Sequence, residues 1–521
     1  MHESGQSSSP GGSARLGQAS ANGGATDRPN VLLILTDQLR ADTLGCYGND
    51  AIRTPNIDAL ARAGIRYNTC YTPYPICTPA RYSLLTGVHA HEHRGQGNHS
   101  TPLPMCRSFV QQFREHGYRT TAVGKMHFTP TYLDVGYDRM ILAEQDGPGR
   151  FDDDYHRELT DAGMVDAIDL IDQRREYRDL APEAYWQTRG AMPSNLPEGW
   201  DSTTWIGDKA MAELDAWADD GNLLTVSFIK PHHPFDPPEP WFSRHDPGKT
   251  EPLPGWCEQP HADDLALHKG YFPHCELILE MLRRVTAAYY GCIEQIDHHV
   301  GRLVDRLAER KMLENTCIVF VADHGEYLGA HHLLLKNNRM YEPLVRVPLI
   351  IRPAGGCEAG GETASRLASL VDLPRTLCTA AGIDPPATAD GEDLLQPTGQ
   401  RAFVFAAGGQ GSFAVRSAHH KLLWHADPKQ VRFFDLEADP LEQDGQHFDR
   451  HSDLFRQHES ALLAWLASTL HRQPAFVGGN ERALPSWAER AGQAARVQQR
   501  LDQAVRAWLA QHADDAASRR P

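Results

Sequence analysis

Asn30-Val31-Leu32-Leu33-Ile34-Leu35-Thr36-Asp37-Gln38 is the stretch that decides the fold class. Its short apolar run, without polar alternation, predicts a strand buried on both faces, as in a mainly parallel sheet covered by helices. Thr36, Asp37 and Gln38 then put oxygen-bearing side chains at the carboxyl end of a central strand, where open α/β sheets hold ligands. Thr120-Thr121-Ala122-Val123-Gly124 and Leu223-Leu224-Thr225-Val226-Ser227-Phe228-Ile229 read as further strands. So does Thr316-Cys317-Ile318-Val319-Phe320-Val321-Ala322, which runs into Asp323-His324-Gly325. Between them, Thr54-Pro55-Asn56-Ile57-Asp58-Ala59-Leu60-Ala61 reads as a capped helix with proline near its start. Residues 283–307 have helical periodicity, with Ile293, Ile296, Val300, Leu303 and Leu307 on the inner face. Alternating strands and helices predict an α/β sandwich.

Two stretches break this alternation. Residues 128–205 are acidic, aromatic and rich in Pro and Gly, and include Phe151-Asp152-Asp153-Asp154-Tyr155-His156; a second irregular stretch spans 234–275. Both read as long insertions over the site, where substrate choice would be made. Beyond Pro386 the short apolar pieces Phe403-Val404-Phe405, Phe413-Ala414-Val415-Arg416, Lys421-Leu422-Leu423-Trp424 and Arg432-Phe433-Phe434-Asp435-Leu436 predict a small antiparallel sheet. A last helix carries Val497, Leu501, Val505 and Trp508 on one face, to pack on the body or on another subunit. The expected division is a flexible leader, 1–27, a catalytic α/β domain, 28–386, and a C-terminal antiparallel sheet subdomain with terminal helices, 387–521.

The formal net charge of −17 excludes general affinity for nucleic acid, and any preference for anions must come from a local cluster of cations and metal. Ten cysteines are scattered without C-x-x-C pairs, which is neither a disulfide framework nor a zinc site. The Gly-, Ser- and Ala-rich leader lacks the apolar core of a signal peptide. No stretch approaches the roughly 18 to 20 apolar residues of a membrane span. A cytoplasmic location is the resulting expectation.

Cys77-Thr78-Pro79-Ala80-Arg81 leads into Tyr82-Ser83-Leu84-Leu85-Thr86-Gly87. It resembles C-x-P-[SA]-R-x4-T-G, the signature of the type I sulfatases of the alkaline phosphatase superfamily. In that family the cysteine is oxidised after synthesis to formylglycine. An aldehyde at residue 77 hydrates to a diol, an oxygen nucleophile that can later leave as a carbonyl; a plain serine or cysteine has no such second step. The resemblance spans about 30–441 and includes Leu370-Val371-Asp372-Leu373-Pro374 and Asp439-Pro440-Leu441-Glu442. It implies a large, mainly parallel mixed sheet sandwiched by helices, with a smaller C-terminal antiparallel sheet.

The same resemblance implies a site. Asp37, Gln38, Asp323 and His324, with residue 77, would hold one divalent cation. Hard oxygen donors favour Ca²⁺, while Mn²⁺, Mg²⁺ and Zn²⁺ remain open. Many family members have Asp-Asp where this chain has Asp37-Gln38, and Asn in place of His324; the forms found here resemble the choline-sulfatase and phosphonate monoester hydrolase branch. Gly124-Lys125-Met126-His127 matches the family's G-K-x-H, with Lys125 to hold a sulfate oxygen and His127 as base on the diol. His232, after Pro231, and Lys336, twelve residues beyond His324, would stand at the leaving-group oxygen. Arg81 would brace residue 77 through its forked donors. His93, Arg94, Asn98 and His99 are candidates for the pocket lining.

The activity implied is hydrolysis of a sulfate monoester, a small molecule or a carbohydrate sulfate, after maturation by a formylglycine-generating enzyme. A phosphonate monoester or phosphodiester hydrolase on the same fold is the alternative, against which Lys125 and His127 weigh. An inactive binder of sulfated glycans would need a broken nucleophile or metal set, and neither is broken.

Overall fold

The computed structural model describes residues 28–145, 152–267, 272, 274–357, 360–470 and 487–511. The leader and Phe151 lie outside the described residues. Among the described residues, thirteen strands form two sheets. The larger contains β1 (Asn30–Thr36), β2 (Ile65–Tyr71), β3 (Arg119–Gly124), β4 (Arg139–Leu142), β5 (Asn222–Phe228), β6 (Thr316–Ala322), β7 (Arg346–Arg352), β8 (Glu362–Ala364) and β9 (Ala368–Ser369). Their order is β4-β3-β5-β1-β6-β7-β2-β8, with β9 also on β2. From β4 to β6 every pairing is parallel; β7 runs against both β6 and β2. The fold is therefore α/β with a mostly parallel mixed sheet.

β1, β5 and β6 are buried along their whole length, which is why β1 and β6 carry continuous apolar runs; in β5 the alternating Thr225 and Ser227 are buried as well. Register aligns their ends. Thr36 stands beside both Phe228 and Ala322, and Gly124 beside Ser227. The segments starting at Asp37, Lys125, Ile229 and Asp323 consequently leave the sheet at one edge. That edge is the site.

The long helix Leu279–Glu309 covers one face with Ile293, Ile296, Val300, Leu303 and Leu307 turned inward. It also caps the helix Pro55–Ala63. Asp297 accepts from the backbone N–H groups of Asn56 and Ile57 at 3.0 and 2.8 Å, a task that Thr54, just before the helix, leaves to it.

The smaller sheet is antiparallel in the order β10 (Val404–Ala407), β11 (Ser412–Arg416), β12 (His420–His425), β13 (Arg432–Asp435). Its strands match the expected pieces to within a residue or two, and the helix Asp453–Leu470 packs on β11 and β12. The terminal helix Trp487–Gln511 returns to the body of the chain: Leu501 and Val505 are buried in the main core, against the helices Asp154–Asp161 and Ala167–Gln173.

The first insertion is more ordered than its composition suggests. Helices Asp154–Asp161, Ala167–Gln173, Glu183–Thr188 and Ser202–Asp215 occupy it. Asp153, Asp166, Asp169, Asp172 and Asp201 point inward and are at most 6% exposed. Short helices closed by buried carboxylates leave little apolar periodicity to read.

Candidate active site

Cys77 opens the helix Cys77–Thr86, every residue of which is buried. Partial positive charge at a helix N-terminus favours anions there. The Cys77 Sγ lies 3.0 Å from the Lys336 Nζ, 3.3 Å from the His324 Nε2 and 3.5 Å from Asp37 Oδ1. This sulfur marks where the oxygens of a matured residue would stand.

Asp37, Asp323, His324 and Cys77 offer ligand atoms that all lie within 4.8 Å of one another, and all four are fully buried. The Nδ1–H of His324 donates to the Gly325 carbonyl at 2.8 Å, which leaves Nε2 facing the cluster as an acceptor. Two carboxylates, one imidazole lone pair and a polar atom at residue 77 fit a divalent cation. Gln38 borders them with a left-handed φ of 61°. Its Nε2 donates to Glu326, and its Oε1 accepts from Lys336 at 2.8 Å. Lys336 donates only and the Glu326 carboxylate accepts, so the amide has one consistent orientation, oxygen toward Lys336.

Lys125 donates to Asp37 Oδ2 at 2.8 Å. Burial by itself would raise the Asp37 carboxyl. Lys125, Lys336 and Arg81 overcome it and hold Asp37 well below the usual carboxylate range. The neighbouring thiol moves the other way: burial, reinforced by Asp37, pushes Cys77 up to about 11. His232 is neutral, since burial and then Lys336 depress its pKa. Its Nδ1–H donates to the His233 carbonyl at 2.6 Å, and its Nε2 faces the Lys336 Nζ at 2.7 Å.

Arg81 serves the frame rather than residue 77 itself. It donates to Asp323 at 2.8 Å, Asp37 at 3.1 Å, Ser227 at 2.9 Å and the Lys125 carbonyl. One guanidinium thereby ties together the ends of β1, β3, β5 and β6.

His127 follows Lys125 with φ 59°; Glu144 accepts from its backbone N–H at 3.0 Å, and its buried ring lies 5.9 Å from that of His99. Asn98 accepts from Thr78 N at 3.2 Å, next to Cys77. His93 is not a pocket residue. It is fully buried, with Nδ1 accepting from Gly95 N and Nε2 facing Ser83 Oγ, both at 3.0 Å. Arg94 is exposed. Glu326 and Gln145 escaped sequence reasoning. Glu326 adjoins Asp323-His324-Gly325 and was open to notice; Gln145 sits in no motif.

A mostly parallel sheet whose strand ends gather carboxylates, imidazoles and ammonium groups around the first turn of a helix has the groups that a hydrolase of anionic esters needs. The sulfatase family model matches residues 29–383. An arylsulfatase of Clostridium perfringens is 31% identical over 449 residues, covering 80% of this chain and 89% of its own. A choline-sulfatase of Rhizobium meliloti is 29% identical over 447 residues, covering 80% and 82%. Among solved structures, the phosphonate monoester hydrolase of Agrobacterium radiobacter shares the fold with a TM-score of 0.71 at 23% identity, covering 85% of this chain and 96% of its own. The chain belongs to the sulfatase family and is a hydrolase of sulfate esters.

Proposed function

We propose that the chain cleaves a sulfate monoester with Cys77, matured to formylglycine by a dedicated enzyme, as its nucleophilic residue. The carrying observation is the placing of the Cys77 Sγ, 3.0 to 3.5 Å from an ammonium, an imidazole and a carboxylate at the start of a buried helix. Conversion to the hydrated aldehyde supplies one hydroxyl to attack sulfur and a second whose deprotonation expels sulfate. Asp37, Gln38, Asp323 and His324 would hold a divalent cation, Ca²⁺ by the preponderance of oxygen donors, and such an ion would neutralise charge on the sulfate oxygens.

The chain's own groups divide the remaining work. Lys125, fixed by Asp37, directs an N–H at a sulfate oxygen. Lys336 and His232, in contact at 2.7 Å, stand where the alcohol departs, and Lys336 carries the proton or charge that the alkoxide needs. His127 takes the proton of the second hydroxyl. Arg81 keeps the four strand ends in register and adds fixed positive charge. Aryl, choline-like and carbohydrate sulfates are the candidate substrates, and the insertions select among them.

The test is peptide mass spectrometry across residues 71–81, with turnover of 4-nitrophenyl sulfate, on protein made beside a formylglycine-generating enzyme. A loss of about 18 Da at Cys77, the cysteine-to-aldehyde change, and turnover abolished by Cys77→Ala are expected. An unmodified thiol after competent maturation would overturn the proposal. Faster turnover of a phenylphosphonate monoester than of the sulfate would instead favour the phosphonate hydrolase reading.

A further inference from the structure

Gln145 follows β4 and is fully buried. Its Oε1 accepts from the Lys125 Nζ at 3.1 Å. Its Nε2 donates to Asp169 Oδ1 and to the His233 carbonyl, both at 2.8 Å. The amide cannot be turned round, because an ammonium only donates and the other two partners only accept. Each end reaches a different part of the reaction. The Lys125 ammonium has three N–H groups, of which Asp37 and Gln145 take two, leaving the third aimed by the pair. The His233 carbonyl that Gln145 holds is the one receiving the Nδ1–H of His232 at 2.6 Å, which fixes the tautomer presenting Nε2 to Lys336.

We infer that Gln145 is a positioning residue that sets the sulfate-gripping Lys125 and the leaving-group His232 together. The inference rests on the sulfatase roles proposed above for those two residues. Gln173 also donates to the His233 carbonyl, at 3.1 Å, and Asp172 holds the His233 ring, so the turn at 232–233 is pinned from the helix Ala167–Gln173. Gln145 differs from both in reaching across to Lys125. Its own segment leaves the sheet next to β3, so it joins the sheet edge to the insertion.

The experiment compares Gln145→Met, Lys125→Ala and the double variant in the full, matured chain. Thermal melting and the mass at Cys77 confirm that each is folded and matured; Gln145→Asn, too short to span both partners, substitutes if Gln145→Met does not fold. Calorimetry with inorganic sulfate reads the Lys125 end without turnover. Gln145→Met should weaken sulfate about tenfold, as loss of a charged-group hydrogen bond does, and the double variant should bind no worse than Lys125→Ala alone. Hydrolysis reads the His232 end: the loss in kcat/KM should be greater for phenyl sulfate than for 4-nitrophenyl sulfate, whose alkoxide needs less help. Sulfate losses that multiply in the double variant, or equal losses with the two esters, would overturn the inference. Wild-type turnover with an unaffected Gln145→Met would overturn this inference alone. A wild-type protein that neither binds sulfate nor turns over would overturn the sulfatase roles, and this inference with them.

Discussion

Lys336 touches Gln38, Cys77 and His232 within 3.0 Å, so a single ammonium reports on the ligand side, the nucleophile and the leaving group at once. Lys336→Ala should lower kcat by about 10² to 10⁴ on phenyl sulfate, the range for loss of a general acid, and by less on 4-nitrophenyl sulfate. Steady-state kinetics on the two esters checks it. His93 makes a different kind of prediction. Burial lowers its pKa to about 3, so the folded state keeps it neutral while the unfolded chain titrates near the ordinary value of 6.5. Its stabilising contribution is complete above pH 6.5 and is lost as the pH falls toward 3, because the unfolded state then binds the extra proton. His93→Gln keeps an acceptor for Gly95 and a donor for Ser83, and should remove part of this slope, up to about 1.4 kcal/mol per pH unit. Urea denaturation between neutral and mildly acid pH measures it. His93 also shows the limit of residue-level reading. A histidine near the nucleophile in sequence invited a pocket role, and burial gave it a structural one.

Strand ends are the elements that build the site, and β3 ends under the tightest constraint. Gly124 has φ +96°, and a Cβ there would lie 2.0 Å from the Ser227 carbonyl oxygen of β5. Gly124→Ala therefore has both a left-handed backbone and a clash with a strand it cannot displace. It should destabilise the fold by about 2 to 4 kcal/mol and lower activity further by shifting Lys125, as thermal melting and kcat/KM would show. The glycine of Gly124-Lys125-Met126-His127 is thus explained by close strand approach. Asp372, in Leu370-Val371-Asp372-Leu373-Pro374, accepts from Ser369 N and Glu392 N, both at 2.8 Å, and pairs with Arg401 at 2.6 Å. Strands β1 and β6 state their burial directly in unbroken apolar runs, whereas β3 and β5 show only the shorter apolar pieces Ala122-Val123 and Leu223-Leu224 among threonines and serine, a composition that β-branched residues still mark as strand. β2 and β7 were not read: β2 mixes Arg66, Asn68 and Thr69 into its run, and β7 begins with Arg346 and contains Pro348.

At the scale of the whole molecule, the small sheet is clasped by buried charge to the segment that leads into β7 of the large sheet. Lys421 of β12 is wholly buried and pairs with Glu342 at 3.0 Å and Glu442 at 2.8 Å, while Glu442 also accepts from Glu342 N. Asp439-Pro440-Leu441-Glu442 thereby acquires a physical role. Lys421→Met would strand two buried carboxylates and should cost about 3 to 5 kcal/mol. Denaturant titration gives the size, and faster proteolysis within 387–470 would locate the loosened part. Nearby, Ala407 N donates to the Pro73 carbonyl at 2.9 Å and Gly409 N to Asn338 at 2.8 Å, so the small sheet borders the segments carrying Cys77 and Lys336. The sequence by itself determined the α/β class, the order of the chemistry-bearing segments and the residue types gathered at the sheet edge. These are local: apolar runs state burial, and motifs state which side chains follow each strand. Tertiary contacts alone settle that Arg81 ties four strand ends, that Glu326 orients Gln38, that Gln145 spans Lys125 and the His232 turn, and that Asp153, Asp166, Asp169, Asp172 and Asp201 of the first insertion face inward. Each of these depends on partners distant in the chain, and no local pattern encodes which buried donor will meet which acceptor.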